Sequence, residues 1–200
     1  LSWMKSKASQ TGAAIAGSIA VCDEGRYYNR FYFVSPDGTV SHYDKKHLFT
    51  YGGEHLHFTA GTERVVVEFK GVRILLEVCY DLRFPVWLRN NYDEGKFEYD
   101  LAILIANWPT QKSYIWNTLL SARAIENQAY YIGVNRVGVD HNEIPYIGET
   151  KVVNGKGRTV AEIIGDKEDI LEVEIDKESL TSFRDYFTVH RDWDTFEILK

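Results

Sequence analysis

Six consecutive apolar residues, Leu101-Ala102-Ile103-Leu104-Ile105-Ala106, constrain this chain more than any other feature. The run has the length of a strand and no polar face, so it fits a strand buried on both sides, as in sheets covered by helices on each face. Tyr130 to Asn135 reads as a second buried strand. Between them, residues 113–129 place Ile115, Leu119, Ala122, Ile125 and Ala129 at helical spacing.

Hairpins surround this unit. Ala13 to Val21 and Arg30 to Val34 have strand character, and a turn at Pro36-Asp37-Gly38 returns the chain through Thr39 to Tyr43. Arg64 to Phe69 and Val72 to Val78 pair around Lys70-Gly71, and Lys151 to Val153 pairs with Thr159 to Ile164 around Asn154-Gly155. Leu171 to Ile175 is expected as a last strand. Helices are expected over residues 1–11 and, after Pro85, over Phe84 to Asn90; residues 50–62 read as a loop, and the tail as a helix followed by an extended arm. Hairpins mixed with strand–helix–strand units predict one layered α/β domain over residues 1–200. The opening Leu1-Ser2-Trp3-Met4-Lys5 is neither a signal nor a transit peptide and reads like the middle of a helix, so a chain incomplete at its N-terminus is expected.

A net charge of −6 argues against a nucleic-acid partner, because polyphosphate binding needs a basic surface. No stretch approaches the roughly eighteen apolar residues of a membrane span. Only two cysteines, Cys22 and Cys79, occur in 200 residues, which does not suggest a disulfide scaffold and favours a reducing, cytoplasmic setting. His42, His47, His55 and His57 lie close together without metal-ligand spacing, so no metal site is expected.

Five segments carry possible chemistry. In Val72 to Pro85, a strand leads into Cys79-Tyr80-Asp81-Leu82-Arg83 and then a helix. Cys79 is thereby placed at the C-terminal edge of the sheet, where open α/β folds bind ligands, and the backbone N–H of Tyr80 is a candidate oxyanion donor. A buried structural thiol is the competing reading. Lys45, in Tyr43-Asp44-Lys45-Lys46-His47, could stabilise an oxyanion or lower a thiol pKa, or be a surface lysine. Glu54, in a glycine-rich loop, could position a lysine, accept a proton or simply be exposed. Asn107 and Trp108, in Ala106-Asn107-Trp108-Pro109, could wall a small-molecule pocket or form a packed turn. Arg123 and Glu126, three apart on a helix, could pair, with Arg123 buttressing the site from beneath. Glu77 alternates with Cys79 and is expected on the same strand face, close behind the site, paired or hydrogen-bonded because unpaired burial is costly.

Together, Lys45-Lys46-His47-Leu48-Phe49, Cys79-Tyr80-Asp81-Leu82-Arg83-Phe84-Pro85, Ala106-Asn107-Trp108-Pro109 and Arg123-Ala124-Ile125-Glu126-Asn127-Gln128 resemble the nitrilase (carbon–nitrogen hydrolase) superfamily, within it the omega-amidase branch. The likeness runs from Trp3 to Phe183-Arg184-Asp185-Tyr186-Phe187. It implies a four-layer αββα sandwich, a Glu-Lys-Cys triad with Cys79 as nucleophile and Lys45 as its lysine, and Glu54 as an additional family glutamate. It further implies a small amide substrate, no cofactor, and pairing into a homodimer. The triad glutamate of the family has no counterpart here: Glu24, in Asp23-Glu24-Gly25, does not match it, which suggests that the strand–helix–strand portion carrying it lies outside this sequence. The alternatives are another carbon–nitrogen hydrolase, such as a carbamoylase or nitrilase, and a catalytically inactive fold with a binding role.

Overall fold

The computed structural model describes residues 1–198. Helix α1 (Ser2–Thr11) precedes three antiparallel strands, β1 (Ile15–Asp23), β2 (Arg26–Val34) and β3 (Val40–Asp44), which form one sheet in the order β1-β2-β3. The chain then makes two 3-10 turns, Thr50–Gly52 and Glu54–Leu56, before β4 (Val66–Phe69) and β5 (Val72–Val78). A 3-10 turn over Cys79–Arg83 leads into α2 (Pro85–Leu88) and a short hairpin of β6 (Tyr92–Asp93) and β7 (Lys96–Phe97). β8 (Leu101–Ala106), α3 (Ser113–Asn127) and β9 (Tyr130–Asn135) follow. β10 (Val137–Val139) pairs with β11 (Pro145–Ile147), β12 (Lys151–Val153) with β13 (Thr159–Glu162), and α4 (Lys177–Tyr186) closes the regular structure before a last 3-10 turn.

The second sheet has six strands in the order β13-β12-β9-β8-β5-β4. Its centre, β5-β8-β9, is parallel, and the apolar run Leu101–Ala106 lies in the middle of it. Two-sided burial explains that run: one face meets the first sheet and the other meets α3. Along β2 the two faces separate by alternation. Phe31 and Phe33 join the main core with Leu75, Leu76 and Leu104, whereas Tyr32 and Val34 pack with Met4 and Ala8 of α1. On α3 the buried stripe is Trp116, Leu120 and Ala124, three residues four apart. Helix, sheet, sheet and helix therefore stack as the αββα sandwich that the family resemblance implied. Gly133 permits the closeness of α3 to β9: a Cβ there would lie 2.6 Å from a Leu120 methyl and 2.7 Å from the Trp116 ring.

Two expectations need correction. Leu171 to Ile175 is not in a ladder among the described residues; Leu171, Val173 and Ile175 are half-buried in alternation against the core, which gives the sequence pattern of a strand without its hydrogen bonds. The helix after Pro85 is a single turn, ending at Leu88. The strand before the cysteine runs Val72–Val78, as its sequence pattern predicts.

Candidate active site

Cys79 is a break in backbone geometry. β5 stops at Val78, and Cys79 takes φ 48°, in the left-handed region that costs a non-glycine residue energy. The 3-10 turn over Cys79–Arg83 starts there. The thiol is lifted off the strand alternation, at the C-terminal end of β5. Because β5 and β8 are parallel, with Val78 beside Ile105, the loop after β8 arrives at the same sheet edge. The Cys79 thiol donates to the Asn107 carbonyl at 3.8 Å. Burial pushes its pKa above the ordinary thiol value, more than the nearby Lys45 ammonium draws it down. The resting group is therefore a neutral thiol. In the first turn of a 3-10 helix the Tyr80 N–H has no intrahelical acceptor, so it remains a usable donor.

Lys45 stands just past the end of β3 with only 3% of its side chain exposed. Its backbone is held on both sides: its N–H donates to Asn29 O, and its carbonyl accepts from Gly61 N, both at 3.0 Å. A Cβ at residue 61 would sit 2.8 Å from the Asp44 carbonyl carbon, so glycine is what permits this approach. The Lys45 ammonium donates to Glu54 Oε2 at 2.6 Å. The same oxygen accepts the Phe49 N–H at 2.6 Å, and Glu54 Oε1 accepts the Asn29 amide at 3.1 Å. Burial alone would raise the Glu54 carboxyl; Lys45 and these donors outweigh it and hold the pKa below the ordinary carboxylate value.

The Trp108 loop is anchored from β9. The Asn135 side chain accepts from Trp108 N at 2.7 Å and donates to Trp108 O at 3.0 Å. The indole N–H donates to Lys112 O at 2.8 Å, which keeps the ring buried. From below, Arg123 donates twice to Leu82 O, at 3.1 and 2.9 Å, and also pairs with Glu126 at 3.1 Å, tying α3 to the turn that carries Cys79.

Cys79, Lys45, Glu54, Tyr80, Asn107 and Trp108 all line one cavity of about 290 Å³. That is near the lower end for small-molecule sites, about 300–1,000 Å³. Glu77 does not line it. The break at Cys79 ends the alternation, and Glu77 is instead fully buried with neither carboxyl oxygen hydrogen-bonded among the described residues. Burial, with Asp81 adding repulsion, raises its pKa well above the ordinary value, so it is held as the neutral acid. The expectation that Glu77 is paired or hydrogen-bonded is thus corrected.

Sequence reading missed two cations of the same cavity. Arg83 lies 5.2 Å over the Trp108 ring and Lys112 lies 4.9 Å over the Phe49 ring; neither has an ion-pair partner among the described residues. The signal for Arg83 was its place four residues after Cys79, at the other end of the same 3-10 turn. It also missed Asn29, which joins the cavity through Glu54. Among the described residues no group of three His, Cys, Asp or Glu side chains could hold a metal ion, and no helix is long and apolar enough to cross a membrane.

A half-buried thiol on a strained turn, a lysine–glutamate pair and a loop-lined sheet edge thus meet in one small cavity. The sequence matches the carbon–nitrogen hydrolase family over residues 1–185, and the chain belongs to that family. It is 48% identical to the omega-amidase YafV of Escherichia coli (strain K12) over 198 residues, covering 99% of this chain and 75% of that protein. It is 35% identical to the 2-oxoglutaramate amidase of Bacillus subtilis (strain 168), covering 96% of this chain and 73% of that one. Among solved structures, a CN-hydrolase superfamily protein of Xanthomonas campestris, which holds an arsenic adduct in its active site, superposes with a TM-score of 0.96 at 43% identity, over 98% of this chain and 75% of that one.

Proposed function

We propose that this protein hydrolyses the terminal amide of small omega-amides, such as 2-oxoglutaramate or 2-oxosuccinamate, to the acid and ammonia. The observation that carries this reading is the convergence of the Cys79 thiol, the buried Lys45–Glu54 pair and the unpaired Arg83 cation on one small cavity. The names of the relatives at 48% and 35% identity support the substrate class.

In this reading Cys79 gives up its proton and its sulfur attacks the amide carbon, forming a C–S bond. The carbonyl oxygen becomes an oxyanion, stabilised by the Tyr80 N–H and by Lys45, whose ammonium keeps donors free beyond the one given to Glu54. Collapse breaks the C–N bond, and the amine leaves as ammonia with the thiol's proton. Water then adds to the thioester carbonyl, and the C–S bond breaks to restore the thiol. Glu54 is engaged with three donors, so its part is to hold Lys45. The family resemblance assigns the thiol's proton to a further glutamate; no carboxylate among the described residues is hydrogen-bonded to the Cys79 sulfur. Arg83 takes the substrate carboxylate, as a guanidinium without a competing acid is suited to do. Asn107 and Trp108 line the same cavity, with the Trp108 ring against the Arg83 guanidinium. By the same resemblance the protein acts as a homodimer, and its two-cysteine composition favours the cytoplasm; sedimentation and fractionation test these.

The direct test is ammonia release from 2-oxoglutaramate by the wild type and by Cys79→Ala, with intact-mass detection of an acyl adduct on Cys79. Turnover surviving in Cys79→Ala refutes the reading. Equal turnover of carbamoyl compounds or nitriles redirects it to another carbon–nitrogen hydrolase activity, and an inert Cys79 toward alkylating reagents favours a binding role.

A further inference from the structure

We propose that Asp81 is a positioning residue that sets the Cys79 thiol against Lys45. The inference rests on the reading of Cys79 and Lys45 as partners in one reaction. Lys45 leaves the first sheet and Cys79 leaves the second. Among the described residues no backbone–backbone hydrogen bond joins residues 43–47 to residues 78–84. Their spacing is therefore carried by side chains, and one fully buried carboxylate reaches both segments.

The two oxygens of Asp81 divide the work. Oδ1 accepts from the His47 N–H at 3.0 Å and is 2.8 Å from His47 Nδ1. Oδ2 accepts from the Tyr43 hydroxyl at 2.8 Å and from the Val78 N–H at 3.1 Å. Tyr43 and His47 bracket Lys45, two residues before and two after, and Val78 immediately precedes Cys79. The Tyr43 oxygen also accepts the Lys46 N–H at 3.0 Å and the Trp87 indole N–H at 3.2 Å. The His47 ring stacks on Phe84, centroids 3.7 Å apart and 7° from parallel, just beyond the cysteine turn. Asp81 does not line the cavity, so it acts through what it holds.

Asp81→Asn keeps the shape but leaves one accepting oxygen; its amide N–H₂ must face either the His47 N–H or the Tyr43 hydroxyl and Val78 N–H. The expected result is a kcat about 100-fold lower with KM within about threefold, since misplacing reacting groups by about 1 Å costs that much. Rates are normalised to the folded fraction measured by near-UV circular dichroism, so that loss of folded protein does not count as loss of rate. Lys45→Ala should then cost far less in Asp81→Asn than in wild type, a non-additivity that a purely structural role would not produce. If Asp81→Asn does not fold, His47→Ala decides: it cuts the ring from Oδ1 at a partly exposed position and should lower kcat about 10-fold by the same misplacement. A natively folded variant of either kind with wild-type kcat, or full additivity with Lys45→Ala, overturns the proposal. Activity retained in Cys79→Ala is a separate result, which removes the underlying reading instead.

Discussion

Lys45 and Glu54 meet at 2.6 Å in a site from which the lysine side chain is almost wholly excluded from water. Glu54→Gln keeps the volume and removes the charge that Lys45, Phe49 N and Asn29 converge on. Hydrogen bonds to a charged group are worth about 1.5–3 kcal/mol, so a stability loss of about 2 kcal/mol is expected, read from denaturant midpoints. The effect has a pH sign. With the folded pKa held below the ordinary carboxylate value, the Glu54 contribution is present above the unfolded-state pKa near 4.5 and fades as pH falls through the folded value. Wild type and Glu54→Gln should therefore converge in stability on acidification; a gap that widens in acid would contradict the assignment.

Lys45→Ala removes an oxyanion donor. Loss of such a donor costs about 10²–10³ in kcat. Steady-state ammonia release on omega-amides measures it, with circular dichroism as the check on folding, and turnover near the wild-type level would refute the role.

Glu77→Gln reproduces a neutral acid without its proton. The folded chain keeps Glu77 protonated well above the pH at which the unfolded chain releases that proton, near 4.5. In that window the folded state binds more protons, so stability falls as pH rises, and the substitution should remove the fall. Thermal melts are expected to coincide near pH 4 and to favour Glu77→Gln at pH 7, each recovered kcal/mol raising Tm by about 2–4 °C. A variant less stable than wild type at pH 7 would mean that Glu77 is charged and partnered.

Arg83→Gln separates binding of the carboxylate from chemistry on the amide. A lost charge-assisted contact of about 1.5–3 kcal/mol corresponds to a KM about 10- to 100-fold higher for omega-amides. An uncharged amide of the same length should show little change. Equal losses on both substrates would place Arg83 in folding of the turn instead.

What could be read from the sequence follows how local the physics is. Leu101–Ala106 announced a doubly covered strand because both faces of that run are apolar in the sequence itself. Phe31 and Phe33 against Tyr32 and Val34 were less legible, since all four are apolar or aromatic and only the two different partners tell their faces apart. Leu171–Ile175 carries strand alternation, yet a ladder needs a neighbour that no local pattern encodes. Cys79 and Lys45 were found through motifs. Asp81 was not, because its meaning lies in Tyr43 and His47, 38 and 34 residues away. Glu77 was misjudged because alternation was carried through a residue whose left-handed backbone ends it.

That same left-handed turn limits which nucleophiles this scaffold can host. Positive φ is tolerable for cysteine or serine but a genuine outlier for a β-branched side chain. A single Cys79→Thr exchange would set a branched Cβ against a backbone that rejects it. The elbow therefore closes off the threonine-hydrolase route by one-step substitution, whatever a hydroxyl at that point might do chemically.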